Sequence, residues 1–110
     1  MGAYAYLALA IAAEITGTTA LKLSDGMTRF GPAATVVAGY GIAFWLMSLS
    51  LKVLPLGLVY AIWSAIGIAG TTVIGILLFS DPWNVRTLFG ATLTIAGIAV
   101  MLLGQPAQTP

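Results

Sequence analysis

The sequence predicts an all-α integral membrane protein with four transmembrane helices, and two observations lead to this prediction. The chain has 110 residues, of which 60% are hydrophobic and only 6% are charged. Soluble domains have about 25% charged residues, so this chain has too few to cover a water-facing surface. Charged and polar residues also divide it into four apolar stretches, each near the roughly 20 residues that span a bilayer. We therefore expect residues 1–110 to form a single four-helix transmembrane domain.

The first two spans are predicted at about residues 3–21 and 32–51. The first stretch is rich in Ala and Leu and ends at a polar segment that begins with Lys22 and includes Arg29. Pro32 suits the first turn of the second helix, because its fixed φ and missing N–H are tolerated there.

The third and fourth spans are predicted at about residues 57–79 and 85–103. Pro82 stands between them and stops a helix, because its ring clashes with the preceding turn and it lacks an N–H. Trp83 suits an anchor at the membrane interface, with local packing in the loop as the alternative. The polar tail at residues 105–110 is predicted to be frayed.

The pattern of helices and charges bears on assembly. Many transporters alternate access through two halves of inverted topology, but two halves of two spans each have the same orientation. If the protein is a transporter, a dimer is therefore the favoured arrangement, since two inverted copies would supply such a pair. Lys and Arg favour the cytoplasmic side of a membrane. The first and third loops contain Lys22, Arg29 and Arg86, whereas the second loop and the tail contain only Lys52, so this weak bias permits both orientations.

Glu14 is the only acidic or basic residue well inside an apolar stretch. A charge there costs about 2.5–3.5 kcal/mol on insertion scales, and such residues mark ligand or proton sites. Ala10, Gly17 and Thr18 share its helix face, with Tyr4 nearer the helix start. These small residues leave room for a ligand. The alternative is a protonated Glu14 that is hydrogen-bonded within tight helix packing.

Aromatic residues of the second and third spans suggest walls for a cation site. Tyr60 and Trp63 share one helix face, and Tyr40 and Phe44 extend that wall from the second span. Aromatic ring faces attract a cation by up to about 2 kcal/mol when it is desolvated. Ordinary core packing is the alternative for each ring.

Glycines of the third and fourth spans indicate close helix contacts. Gly67 and Gly70 lie in the middle of the third span, where they suit either a hinge or tight packing. Gly90, Gly97 and Gly104 repeat every seven residues and so return to nearly the same face. This stripe predicts a close partner helix, with a contact inside one chain as the alternative. Assembly of two chains is favoured because the fourth span has no intramembrane charge, Tyr or Trp.

Several functions are disfavoured by what the sequence lacks. Without Cys or His there are no disulfides, thiol nucleophiles or imidazole bases, and a zinc site is disfavoured. No second buried acid or base joins Glu14, which argues against an enzyme. A net charge of +1 without Lys and Arg clusters argues against nucleic-acid binding. The remaining charged residues are predicted to be solvated helix ends and topology signals: Lys22, Asp25, Arg29, Lys52, Asp81 and Arg86.

Residues 13–22 (AEITGTTALK) and 60–67 (YAIWSAIG) closely resemble the small multidrug resistance family. The resemblance extends over nearly the whole chain and includes its length and its four spans. It implies a proton-coupled exporter that works as an antiparallel homodimer in a bacterial-type inner membrane, without a cofactor. It also implies that Glu14 of both copies binds protons and cations in competition. The resemblance also implies positions for further residues. The residues in or near the pocket are Tyr4, Ala10, Gly17, Thr18, Tyr40, Tyr60 and Trp63, and those in the dimer contact are Gly90 and Gly97.

Gly17 indicates a branch of this family. Guanidinium exporters typically have Trp at the position of Gly17, so this chain looks like the branch that exports quaternary ammonium compounds. Ala43 stands where a pocket Ser is common, which removes one hydroxyl. The run 65–67 replaces the usual Gly-x-Gly, so a kink is not implied there.

The sequence therefore leads to the hypothesis of an antiporter that exchanges protons for hydrophobic or quaternary ammonium cations at the two Glu14 side chains. Its partners are expected to be a second copy, organic cations, protons and the lipid bilayer. Export of guanidinium or of polyamines is the alternative within the family. A membrane subunit that transports nothing, with Glu14 as a neutral packing group, is the alternative outside it.

Overall fold

A computed structural model describes residues 2–104 and contains four α-helices there, with no strands among the described residues. Their bounds are Ala3–Leu23 for α1, Phe30–Ser50 for α2, Leu56–Phe79 for α3 and Val85–Leu103 for α4. Each boundary falls within two residues of the predicted one, and each helix is long and apolar enough to cross a membrane. The fold class predicted from the sequence is thus confirmed. The tail predicted to be frayed, residues 105–110, lies outside the described residues.

The helix ends follow local chemistry. Ser24 closes α1: its hydroxyl donates to the Leu21 carbonyl at 2.7 Å and accepts from the Met27 N–H at 2.9 Å. The first loop passes through the left-handed region at Asp25, Gly26 and Met27, with φ of +50°, +70° and +70°, and of these only Gly26 lacks the Cβ that disfavours this region. The side chain of Asn84 caps α4 by accepting from the Thr87 N–H at 3.0 Å.

The core is centred on α1, which packs against both α2 and α3. Leu7 and Ile11 of α1 meet Leu58, Val59 and Ile62 of α3, and all five are buried. In a membrane, lipid is as apolar as these side chains, so the cluster stabilises the contact between α1 and α3 through close van der Waals packing. This cluster fixes α1 and α3 side by side, which decides what can face Glu14.

The crossing of α1 and α2 is close because glycine lies on both sides of it. A Cβ added at Gly39 would stand 3.0 Å from the Ala13 carbonyl oxygen and 3.1 Å from the Gly17 Cα. The two backbones are therefore nearly in contact, as small residues allow in membrane helices.

Helix α4 packs mainly against α3 and has no buried residue. Large apolar side chains cover its surface, including Val85, Val100 and Leu103, which are 78%, 68% and 87% exposed. Such a surface suits lipid or another apolar helix. Together with the three other apolar spans, it fits an all-helical, four-span membrane protein.

Candidate functional site

Glu14 begins a short hydrogen-bonded chain that links α1 to α2. Its Oε1 accepts from the Thr18 hydroxyl at 2.8 Å, one helical turn further along. The Thr18 Oγ1 also lies 2.8 Å from the Tyr40 hydroxyl. Because a hydroxyl can donate once while it accepts, Thr18 connects the carboxylate to the tyrosine.

The second carboxylate oxygen of Glu14 has no such partner. Among residues 2–104, Oε2 is the one buried side-chain oxygen or nitrogen without a hydrogen bond. It faces Gly67 of α3, where an added Cβ would stand 3.6 Å away. Leaving a buried polar atom unsatisfied costs about 1–3 kcal/mol, so such an atom requires an explanation.

A cavity of about 230 Å³ opens beside this carboxylate. It lies between α1 and α3, and glycine at position 67 keeps it from being filled by a side chain. Its lining includes one acidic residue, three residues with hydroxyl groups and one tryptophan. The lining residues are Glu14, Thr18, Trp63, Ser64, Gly67, Ile68 and Thr71.

Two further aromatic residues support these walls. The ring of Phe44 stacks on Trp63, with centroids 6.0 Å apart and planes 14° from parallel. The ring of Tyr40 covers Gly17, where an added Cβ would stand 2.9 Å from the Tyr40 Cδ1. The structure therefore brings Glu14 together with four of the predicted pocket residues: Gly17, Thr18, Tyr40 and Trp63.

Other predicted site residues lie elsewhere in the single chain. Tyr4 and Tyr60 are 46% and 67% exposed on its outer surface, and Ala10 is fully buried in the packing. Gly90 and Gly97 have open space around them, with nothing within 4 Å of an added Cβ. Their expected roles in a pocket or a dimer contact stay predictions.

Ile68 and Thr71 line the cavity, although sequence reasoning did not single them out. Thr71 follows Gly67 by four residues, so helical spacing offered a signal for it. Gly67 and Gly70 both face α1: the first meets the Glu14 carboxylate and the second meets Ile15, whose Cδ1 would be 2.7 Å from an added Cβ. Their position favours close packing over a hinge. Among the described residues, no three His, Cys, Asp or Glu side chains form a group that could hold a metal ion.

Comparisons with known proteins show which family this chain belongs to. The family model described as "Small Multidrug Resistance protein" matches residues 2–105. The chain is 47% identical over 96 residues to "Multidrug resistance protein EbrB" of Bacillus subtilis (strain 168), covering 87% of this chain and 82% of that protein. It is 40% identical over 103 residues to "Quaternary ammonium compound-resistance protein QacE" of Escherichia coli, covering 94% of each. Because both the family match and these similarities extend over nearly the whole sequence, this chain belongs to the small multidrug resistance family.

Proposed function

We propose that this protein is an antiporter that exports hydrophobic and quaternary ammonium cations in exchange for protons, with Glu14 as the shared binding group. Proteins of its family are transporters in the inner membrane, not enzymes. Relatives carry names that refer to resistance to multiple drugs and to quaternary ammonium compounds. The substrate class in the proposal follows from those names and from the chemistry of the site.

The observation that supports the proposal most is the unpartnered, buried Oε2 of Glu14, a residue that lines a cavity together with Trp63. A proton on Glu14 neutralises the carboxylate, and an organic cation neutralises it equally well. Both need the same oxygen atoms, so they compete. The Trp63 ring adds an attraction for the cation, and for flat substituents, that a proton does not receive.

The cavity size supports a two-chain site. Pockets for drug-sized ligands measure about 300–1,000 Å³, whereas one chain supplies about 230 Å³ beside Glu14. A second copy that packs against this open side would enlarge the chamber and bring in a second Glu14. It would also give the exposed rings of Tyr4 and Tyr60 a place at the chamber wall.

Exchange follows from competition at this pair of acids. Two ionised carboxylates in one low-dielectric chamber repel each other, so the empty, doubly ionised dimer is unfavourable. If this empty dimer switches only slowly between opening to one side of the membrane and opening to the other, neither protons nor drug cross without exchange. Protons that enter along their gradient then displace the cation outward.

Gly17 favours this substrate class over guanidinium. The Tyr40 ring fills the space above Gly17, so a Trp at this position would require the ring to move. Polyamine export and a role as a membrane subunit without transport remain the other candidates. If the protein is a membrane subunit without transport, neutralising Glu14 should have little effect on its function.

The test is proton release from the purified dimer in weak buffer near pH 7. Tetraphenylphosphonium, a hydrophobic aryl cation, is expected to release protons, and Glu14→Gln is expected to release none while it stays dimeric and folded. The matched control is Asp25→Asn, which removes an acid from an exposed loop and should release as much as the wild type. Release from Glu14→Gln would contradict the proposal. Release with guanidinium but not with tetraphenylphosphonium would assign the protein to the guanidinium-exporting branch of the family.

A further inference from the structure

A second cavity, of about 330 Å³, lies between the C-terminal ends of α1 and α3. It adjoins the Glu14 cavity, because Thr18 and Thr71 line both. Threonines cover its inner part, and its outer part is formed by a lysine, a phenylalanine and an aspartate. These are Thr18, Thr19, Thr71 and Thr72 inside, and Lys22, Phe79 and Asp81 outside.

Asp81, the acidic residue of this cavity, folds back over the last turns of α3. Ser80 adopts a left-handed conformation at φ +55°, which ends the helix and reverses the chain. The Asp81 N–H then donates to the Gly75 carbonyl at 3.0 Å. The Asp81 carboxylate occupies the space where any residue other than glycine at position 75 would carry its Cβ.

The protein already places a cation of its own, the Lys22 ammonium, against the aromatic part of this cavity. The ammonium group of Lys22 stands over the Phe79 ring, 5.9 Å from its centroid. This is the distance range of a cation–π contact. An aromatic face and a carboxylate border the same cavity as this tethered ammonium, so the outer part of the cavity has the chemistry of a site for organic cations.

We propose that this cavity, bordered by Lys22, Phe79 and Asp81, is a second cation site that captures organic cations from the membrane surface before they reach Glu14. Lys22 is its internal competitor, and an arriving aryl cation displaces the ammonium from the Phe79 ring. The threonine hydroxyls offer oxygen acceptors along the way inward. Thr19 and Thr71 donate to helix carbonyls at 2.8 Å and 2.7 Å, which leaves the lone pairs of their hydroxyl oxygens available.

The capture role rests on the proposed function, but binding at the second site can be tested without it. In Glu14→Gln the primary carboxylate is absent, so amide NMR shifts on adding tetraphenylphosphonium report on other sites. We expect shifts at residues 75–81 that require about two- to five-fold more cation when Asp81→Asn is added, because one exposed charge pair is worth little. Shifts that are absent in Glu14→Gln, or that persist unchanged with Asp81→Asn, would overturn the second site.

The rate of proton release on rapid mixing with the same cation tests capture. One exposed charge pair is worth little, so Asp81→Asn should slow release about two- to five-fold, with unchanged total release. Lys22→Gln should speed it by a similar factor. Gly75→Ala keeps every charge but places a methyl where the Asp81 carboxylate stands, so it should slow release as well.

Asp25→Asn is the matched control, because it removes an acid from the loop after α1, at the same end of α1 as Lys22, but outside the cavity. It should leave the rate unchanged. Equal slowing by Asp25→Asn and Asp81→Asn would mean that only the general surface charge matters, which overturns capture at this cavity. If the wild type releases no protons at all, the proposed function fails, and the NMR result still decides whether the second site exists.

Discussion

Thr18 is the side chain that connects the candidate proton site to the rest of the protein. It donates to Glu14 and also contacts the Tyr40 hydroxyl. A hydrogen bond to a charged acceptor is stronger than one between neutral groups, and the Glu14 carboxylate is the group proposed to attract the cation. The contact to Tyr40 orients that donor from a second helix. A shift of α2 would therefore change how the Thr18 hydroxyl is oriented toward Glu14.

We predict that Thr18→Val weakens tetraphenylphosphonium binding at fixed pH by about ten- to a hundredfold, because a hydrogen bond to a charged group is worth about 1.5–3 kcal/mol. Tyr40→Phe removes only the outer hydroxyl and should have a smaller effect. Isothermal titration calorimetry measures both. Thr18→Ser should retain wild-type affinity. Thr16→Val is the matched control, because the Thr16 hydroxyl donates to the Ala12 carbonyl. Equal losses in Thr16→Val and Thr18→Val would contradict the prediction.

At this scale, sequence reasoning identified Glu14 because a single acid in an apolar stretch is conspicuous. It grouped Tyr60 with Trp63, yet in the single chain only Trp63 lines the cavity and Tyr60 faces outward. Residues three apart on a helix differ by about 60° in direction. Periodicity therefore defines a broad face, and only packing against α1 decides which residue of that face points inward.

Among the elements, α1 and α2 form the closest pair, and glycine explains why. Gly39 faces the backbone of α1, whereas Gly41, two residues further along, has open space around it. Both lie within α2, so they share the same helical environment but have different neighbours. This contrast isolates the effect of the crossing from the effect of helix propensity.

We predict that Gly39→Ala destabilises the protein by about 1–3 kcal/mol, the usual cost of overpacking, because its Cβ would press on backbone atoms that cannot rotate away. Gly41→Ala should be neutral or slightly stabilising, since alanine favours helices by about 1 kcal/mol over glycine. Reversible unfolding in mixed micelles measures the difference. A Gly39→Ala protein as stable as Gly41→Ala would mean that the helices separate at no cost.

The four helices were predictable because apolar stretches of spanning length are set by the bilayer, and the boundaries at the three loops coincide with a charge, a proline or a cap. The contacts between the helices were not predictable in the same way. Glycine at positions 67 and 70 suited a hinge as well as close packing, and the structure directs both toward α1. All faces of these helices are apolar, so hydrophobic pattern gives little information on which face meets protein and which meets lipid.

For the whole molecule, the most conspicuous feature is that α4 lies at the edge of the bundle. Its packing is confined mainly to α3, it buries no residue, and Gly90 and Gly97 leave a smooth strip on its surface. A helix that contributed only to the fold of one chain would gain stability from larger side chains in that strip. A strip kept free of side chains suits close approach by a second α4, which is how a dimer would assemble while α1 to α3 stay free to form the chamber.

We predict that Gly97→Leu weakens dimerisation about five- to a hundredfold, if an overpacked contact costs about 1–3 kcal/mol. The single chain has room for this side chain, since nothing stands within 4 Å of an added Cβ at Gly97, so the protomer should still fold. Ala99→Leu is the matched control: it is two residues along α4, about 200° around the helix, and is exposed as well. Dimer fractions from chemical cross-linking over a dilution series in micelles measure both.

Because the proposed chamber needs Glu14 from two copies, proton release should fall in parallel with the dimer fraction. A Gly97→Leu protein that dimerises like Ala99→Leu would place the contact elsewhere, and one that releases protons as a monomer would contradict the two-chain site itself.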